Sequence, residues 1–396
     1  MRFLFSPFTI AIGIIAGMIM GSGVFALPYA VNLSGIGWSS LSALVAFFAI
    51  LAIHLAYGEI VANNPEEHRL PGYVSKYIGK TFGRAENIAQ IFAFNAILLV
   101  YAILGGKFIL ALFGNASIFS SLATLDESAN GATVLFFAFA GAIFLFGTIR
   151  TIGVLNFVLT APLVFATLWI ALLALQRGSI ENMANISGGA PFFSFSVFMF
   201  SLAGLSVIAD AKGAFTTSKN LYDNRSGLRS AIAAGTTLPL ILYVIFIAAV
   251  LALSGGAVTE EALLGLWPVV GDGVVRVGAL VGLLAVFTSY LVLGYDLRKI
   301  YELDMRIPPF ISIALVIAIP FMFFVAGFVN FVELMSLVGG FFVALDGIFV
   351  VFILRSMRSQ GLITHPFVPF NTTIQVALVA LFAASAIYEL WFQAFK

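Results

Sequence analysis

The groups in this chain best placed to do chemistry belong to its main chain. Gly21-Ser22-Gly23, with Gly13 and Gly17 before it and Pro28 after it, lies near the middle of a long apolar run. Ser201-Leu202-Ala203-Gly204-Leu205-Ser206 lies similarly in a second run. Clustered glycine near a proline favours an unwound turn over a continuous helix. Glycine at every fourth position also makes a packing face, but close packing requires neither Ser22-Gly23 nor Pro28. In hydrocarbon an unwound turn strands N–H and C=O groups that lipid cannot satisfy, so protein, water or a solute must. The first helix would end near Met20 on carbonyls and restart near Gly23 on N–H groups, and the second would end near Leu202 on carbonyls. Helix N-termini favour anions and C-termini favour cations. One N–H cluster opposite two carbonyl clusters suits a carboxylate beside an ammonium group. No charged side chain sits at either break, which disfavours a charged side chain on that zwitterion.

Side chains add a second layer. Thr288-Ser289 falls midway along another apolar run. Hydroxyls there often bond back to the preceding turn, but beside open carbonyls at Gly17 and Met20 they are oxygen ligands for a hard monovalent cation. Ionisable groups within apolar runs are costly and point to function. Asp346 is the deepest; Asp210 follows the second break, where helix-dipole pairing also accounts for it; His54 completes the candidates for carrying a proton. Lys107 lies near the end of its run, where it snorkels or closes a gate against an acid. Cysteine is absent and His54, His68 and His365 are scattered, so thiolate chemistry and a His-based metal site are excluded. No His-Glu-x-x-His occurs, and Gly271-Asp272 precedes Tyr295-Asp296, the reverse of the intramembrane aspartyl protease order. No enzyme and no cofactor are expected beyond sodium or a proton as coupling ion.

Positioning these groups requires a membrane. A chain of 396 residues that is 61% hydrophobic and 9% charged is no soluble globule, where roughly a quarter of residues are charged. Its near-zero net charge gives no reason to expect nucleic acid, and no obligate protein partner is inferred. Windows of about 20 apolar residues give eleven spans: 8–32, 38–61, 88–112, 132–149, 152–175, 192–216, 229–253, 273–297, 309–328, 331–354 and 372–392. The fourth and fifth meet in a tight turn at Arg150-Thr151. The first is too long for a signal core. With an inside N-terminus, fifteen of nineteen Lys and Arg fall inside and the C-terminus lies outside. Pro71 opens a short basic-aromatic helix over 72–80 on the inner surface. Thr259 caps an outer helix with Glu260 and Glu261 in its first turn.

Gly21-Ser22-Gly23-Val24-Phe25 resembles the Gly-Ser/Thr-Gly-Ile/Val-Phe signature of the amino acid/polyamine/organocation superfamily. Thr288-Ser289-Tyr290-Leu291-Val292-Leu293-Gly294-Tyr295-Asp296 is similar to the eighth span of hydroxy- and aromatic-amino-acid permeases and of amino acid/auxin permeases, and His68-Arg69-Leu70-Pro71-Gly72-Tyr73 to the first inner loop of prokaryotic members. The resemblance runs from about Pro7 to Arg355. It implies an all-α, leucine-transporter-like integral membrane protein with two inverted five-helix repeats (7–175 and 192–354), discontinuous helices 1 and 6, and one extra helix (372–392). It also implies uptake of a neutral, hydrophobic or aromatic L-amino acid across a prokaryotic plasma membrane, or sensing or exchange without ion coupling. By that pattern Gly21, Ser22 and Gly23 meet the substrate carboxylate, Val24 joins them in the substrate site, and Phe200, Ser201, Leu202 and Ala203 receive the ammonium. Gly204 and Leu205 shape the side-chain pocket. In sodium-coupled relatives an ion site matches Gly17, Met20, Ala285, Thr288 and Ser289. Ala209-Asp210 departs from the Pro-Glu frequent in this branch.

Overall fold

A computed structural model describes residues 6–64, 66, 68–114, 122–146, 149–184, 186, 188–215, 221–255, 257–363 and 366–395. Arg2, Lys219, His365 and Lys396 lie outside them. The described residues form helices and no strand. α1 (Pro7–Ile19) and α2 (Gly23–Ser34) make a broken first span, followed by α3 (Ile36–Ala62), a short α4 (Leu70–Tyr77), α5 (Lys80–Phe113), α6 (Leu122–Phe146) and α7 (Ile149–Arg177). A one-turn α8 (Glu181–Ala184) leads to a second broken span, α9 (Phe193–Leu202) and α10 (Ile208–Gly213). Then come α11 (Leu221–Ser254), α12 (Trp267–Val270), α13 (Asp272–Lys299) and α14 (Pro309–Val325). α15 (Phe331–Leu337) and α16 (Ala344–Ser359) are joined by a π-helical turn, Val338–Val343, and α17 (Thr372–Phe395) closes the chain. Among the described residues seven spans are long and apolar enough to cross a membrane, the bent α1–α2 pair is an eighth, and three shorter apolar helices within α6, α7 and α14 bring the total to the expected eleven.

Each break has a local cause. Ser6 caps α1 by accepting from the Thr9 N–H at 3.2 Å, with Pro7 as the first helical residue. The helix stops where the Gly21 N–H turns back to the Ile19 carbonyl at 2.8 Å, and α2 leaves at 51° to α1. α9 stops where Ala203 turns extended (φ −66°, ψ 130°), and a single 3₁₀ turn, Leu205–Val207, leads into α10.

Small residues let the helices close. A Cβ on Gly282 of α13 would lie 2.6 Å from the Phe108 ring of α5, and one on Gly105 2.3 Å from the Phe136 ring of α6. The Ser34 hydroxyl at the end of α2 donates to the Ala190 carbonyl (2.8 Å) and accepts from the Ser194 N–H (3.0 Å), fixing the start of α9. Buried Glu59 takes three contacts from Arg358 and the Phe367 N–H, tying α3 to α16. Glu389 of α17 is also buried, and one of its oxygens accepts from both Ser196 and Ser336 at 2.9 Å.

Four sequence expectations shift. α6 ends at Phe146 and α7 begins at Ile149, so Arg150-Thr151 lies inside α7 and not between the two helices. α5 starts at Lys80 rather than 88, its first turns burying Gly83 and Glu86 while Lys80 and Arg84 stay exposed. The short helix spans Leu70–Tyr77, with Leu70, Tyr73 and Val74 packed inside the protein, and Gly79 (φ 149°) separates it from α5. Glu260 and Glu261 do not begin a helix. Ala262 takes φ 60°, helical turns begin only at Leu264, and the Thr259 hydroxyl accepts from the Gly265 N–H at 3.0 Å, because both acids reach Lys107 instead.

Candidate functional site

The two breaks are seated on each other. A Cβ on Gly23 would stand 2.5 Å from the Ser201 Oγ and 2.7 Å from its Cα, so the first turn of α2 rests on the last turn of α9 at backbone distance. A Cβ on Gly204 would lie 2.7 Å from the Ile19 side chain at the end of α1. Only glycine permits either approach. Two neighbouring helices brace the junction. The Tyr243 hydroxyl of α11 donates toward both helix-end carbonyls, that of Ile19 and that of Ser201, the latter at 3.0 Å. His54 of α3 accepts the Gly204 N–H on Nε2 at 3.2 Å, and its Nδ1 meets the Thr236 hydroxyl at 3.0 Å. Since Thr236 gives its own proton to the Ile232 carbonyl, Nδ1 must be the ring donor. A second ring proton, on Nε2, would face the Gly204 N–H donor to donor.

One cavity opens on both breaks. Gly21, Ser22 and Gly23 line it from the first, and Phe200, Ser201, Ala203, Gly204 and Leu205 from the second. His54 and Asp346 also reach it. Val24 and Leu202 pack into the core instead, 2% and 0% exposed. Asp210 lies off the cavity, exposed, with Arg69 at 3.7 Å, the dipole-and-pairing arrangement. The N–H groups that start α2 have no acceptor within their own helix. The buried Ser22 hydroxyl makes no hydrogen bond to another described residue, although the Tyr101 phenol approaches it. Donors for an anion therefore gather at Ser22 and Gly23. A Cβ on Gly21 would meet the Tyr101 hydroxyl at 3.3 Å and the Ser289 hydroxyl at 3.4 Å.

The residues matching a sodium site are all at least nine-tenths buried, with Ala285, Thr288 and Ser289 on α13. Thr288 donates into its own helix, to the Leu284 (3.1 Å) and Ala285 (3.0 Å) carbonyls, the back-bonded geometry. Ser289 faces the first break and Tyr101.

A charged pair lines the basic end of the cavity, and a second charged cluster lies outside its lining. At the basic end Arg69 donates to Asp296 and to the Ser206 carbonyl, both at 2.9 Å, joining the approach to α4, the 3₁₀ turn after the second break, and α13. At the acidic end Lys107 of α5 meets Glu260 at 3.1 Å and Glu261 at 3.6 Å. Sequence reasoning named Lys107 but missed Arg69, Tyr101 and Tyr243. For α5 the signal was present: Gln90, Ala93, Phe94, Ile97 and Tyr101 all line the cavity, at the three- and four-residue spacing of one helix face. Tyr243 carries no local signal.

A helical bundle in which two broken spans meet over a central cavity belongs to the leucine-transporter-like class of membrane transporters. The crystal structure of MhsT in complex with L-phenylalanine matches with a TM-score of 0.66 over 97% of this chain and 95% of that one, at 16% identity, which establishes the shared fold. A family model for tryptophan/tyrosine permeases matches residues 6–295, and the chain belongs to the tryptophan/tyrosine permease family. Glutamine transporter 2 of Aliivibrio fischeri (strain ATCC 700601 / ES114) is 23% identical over 239 residues, 60% of this chain. The matched stretch spans 58% of that relative's length.

Proposed function

We propose that the protein is a secondary active transporter that takes up a neutral L-amino acid with a co-transported cation by alternating access. It would sit in a prokaryotic plasma membrane with its basic end cytoplasmic. One observation carries this reading: both helix breaks are seated on each other and open on a single cavity. Free N–H and hydroxyl donors at Ser22 and Gly23 suit a carboxylate, and the carbonyl ends near Ile19 and Ser201 suit an ammonium group. The MhsT complex holds L-phenylalanine, and the family name specifies aromatic amino acids, which supports a hydrophobic or aromatic side chain. Ile50, Ile53, Phe94 and Ile97 of the cavity wall fit that character. In the alternating cycle the repeats 7–175 and 192–354 would move against each other, with Arg69 and Lys107 closing opposite ends.

Purified protein in proteoliposomes should exchange labelled L-tryptophan, L-phenylalanine or another neutral amino acid across the membrane. Gly23→Leu should abolish exchange while the protein still inserts and purifies, because the new side chain meets the Ser201 backbone. Normal exchange in that variant would reject the site.

A further inference from the structure

Glu86 stands one turn beyond Gln90 on the cavity-facing stripe of α5, toward the basic end. It is 0% exposed, and neither of its carboxyl oxygens receives a hydrogen bond from a described residue. Gln90 approaches the same carboxyl without closing a bond. Facing it, within hydrogen-bonding reach, is the carboxyl of Asp346, in the first turn of α16. Two carboxylates in contact cannot both remain ionised, and two buried acids with no donor between them are one proton short of a hydrogen bond. Asp346 also lines the cavity, so the pair has a route to solvent.

The other charged groups of the surrounding helices are committed elsewhere. Asp296 of α13 binds Arg69, Lys76 of α4 binds Glu66, Glu59 of α3 binds Arg358 of α16, and Glu333 of α15 bonds Asn330. Glu389 of α17 takes the two serine hydroxyls, while Arg84 and Arg355 are exposed. Tyr57 of α3, which stacks edge-on against Tyr73, is the remaining titratable group facing Asp346. Among the described residues no cation faces the pair.

We propose that Glu86 and Asp346 hold one shared proton between α5 and α16, and that this proton is the coupling ion of transport. The inference rests on the transport reading above and names its ion. The link to substrate is mechanical. Asp346 follows the π-helical turn directly, and a Cβ on Gly339 in that turn would fall 2.0 Å from the Ser196 carbonyl of α9. The turn therefore lies backbone to backbone on the helix that ends at the second break. Binding a proton converts two like charges into an O–H···O bond and draws α5 to α16. Releasing it to solvent restores the repulsion, which the π turn passes to α9.

The test compares driven accumulation with exchange in proteoliposomes, using labelled L-tryptophan, L-phenylalanine and L-glutamine. In the unmodified protein, an inward gradient of about one pH unit should raise accumulation about tenfold, because one proton crossing it releases about 1.4 kcal/mol, and a sodium gradient should not. Glu86→Gln should bring accumulation down to the gradient-free level and abolish substrate-induced proton uptake, yet still exchange labelled for unlabelled amino acid. Asp346→Asn should lose driven accumulation as well. Proton-driven accumulation that survives Glu86→Gln overturns the assignment. So does wild-type accumulation that follows sodium and ignores protons, a result that needs no variant to fold. Failure of the wild type to exchange any amino acid would instead defeat the transport reading itself.

Discussion

His54 and Glu86 are both ionisable and both 0% exposed, and both stand by the same cavity, yet they are built in opposite ways. Every polar atom of His54 is engaged: Nε2 by the Gly204 N–H and Nδ1 by Thr236. Both oxygens of Glu86 lack a hydrogen bond among the described residues, and another acid, Asp346, faces them. A buried group with all its partners holds geometry, because changing its protonation breaks what surrounds it. A buried group without partners is waiting for one. His54 thus works as a positioning residue that pins the second break, and Glu86 as a site whose occupancy changes.

The sharpest way to break this comparison is to remove each side chain and measure thermal unfolding in detergent. His54→Ala orphans the Gly204 N–H and leaves a hole, together worth about 3 kcal/mol. Its unfolding temperature should fall by about 4 °C. Glu86→Gln removes an uncompensated buried acid and should leave that temperature unchanged or raised. Equal losses in both variants would dissolve the distinction.

A smaller effect is expected at Tyr243, a third fully buried group, 1% exposed. Its hydroxyl has one proton for two helix-end carbonyls. Tyr243→Phe should weaken amino-acid binding about tenfold, a loss of roughly 1.4 kcal/mol, as read by equilibrium binding of labelled amino acid. Unaltered affinity would mean that the braced carbonyls play no part in holding the ligand. The smallest effect belongs to Lys107, whose pair with Glu260 is partly open to solvent. Lys107→Met should cost about 1 kcal/mol or less. The chain has no cysteine, so a single Ile97→Cys can report access to the cavity. Lys107→Met should speed its labelling from the acidic end.

The breaks were legible in the sequence because glycine and proline act locally: Gly21-Ser22-Gly23 and Ala203-Gly204 unwind where they stand. Asp346 was legible as a deep acid. Its partner was not, because the apolar window for the third span opens at 88, after Lys80, Arg84 and Glu86 have diluted the hydropathy. The helix carries on through them, Lys80 and Arg84 facing out and Glu86 buried toward Asp346, and that burial is a tertiary fact. The loop at Thr259 shows the reverse failure. Its capping signal is sound, but two acids side by side bind a lysine 153 positions away, and that contact overrides the local preference. Thr288 donates its proton back to its own helix, which leaves its oxygen lone pairs unspent.

The carboxylate of Glu389 has one further implication. With a single oxygen it grips a serine from α9 and a serine from α15. Such a clamp makes the upper parts of two spans and the terminal helix a single rigid block. Any rocking must then hinge beyond it, at the loosened turn around Gly204, so the last helix acts as the anvil against which that turn flexes.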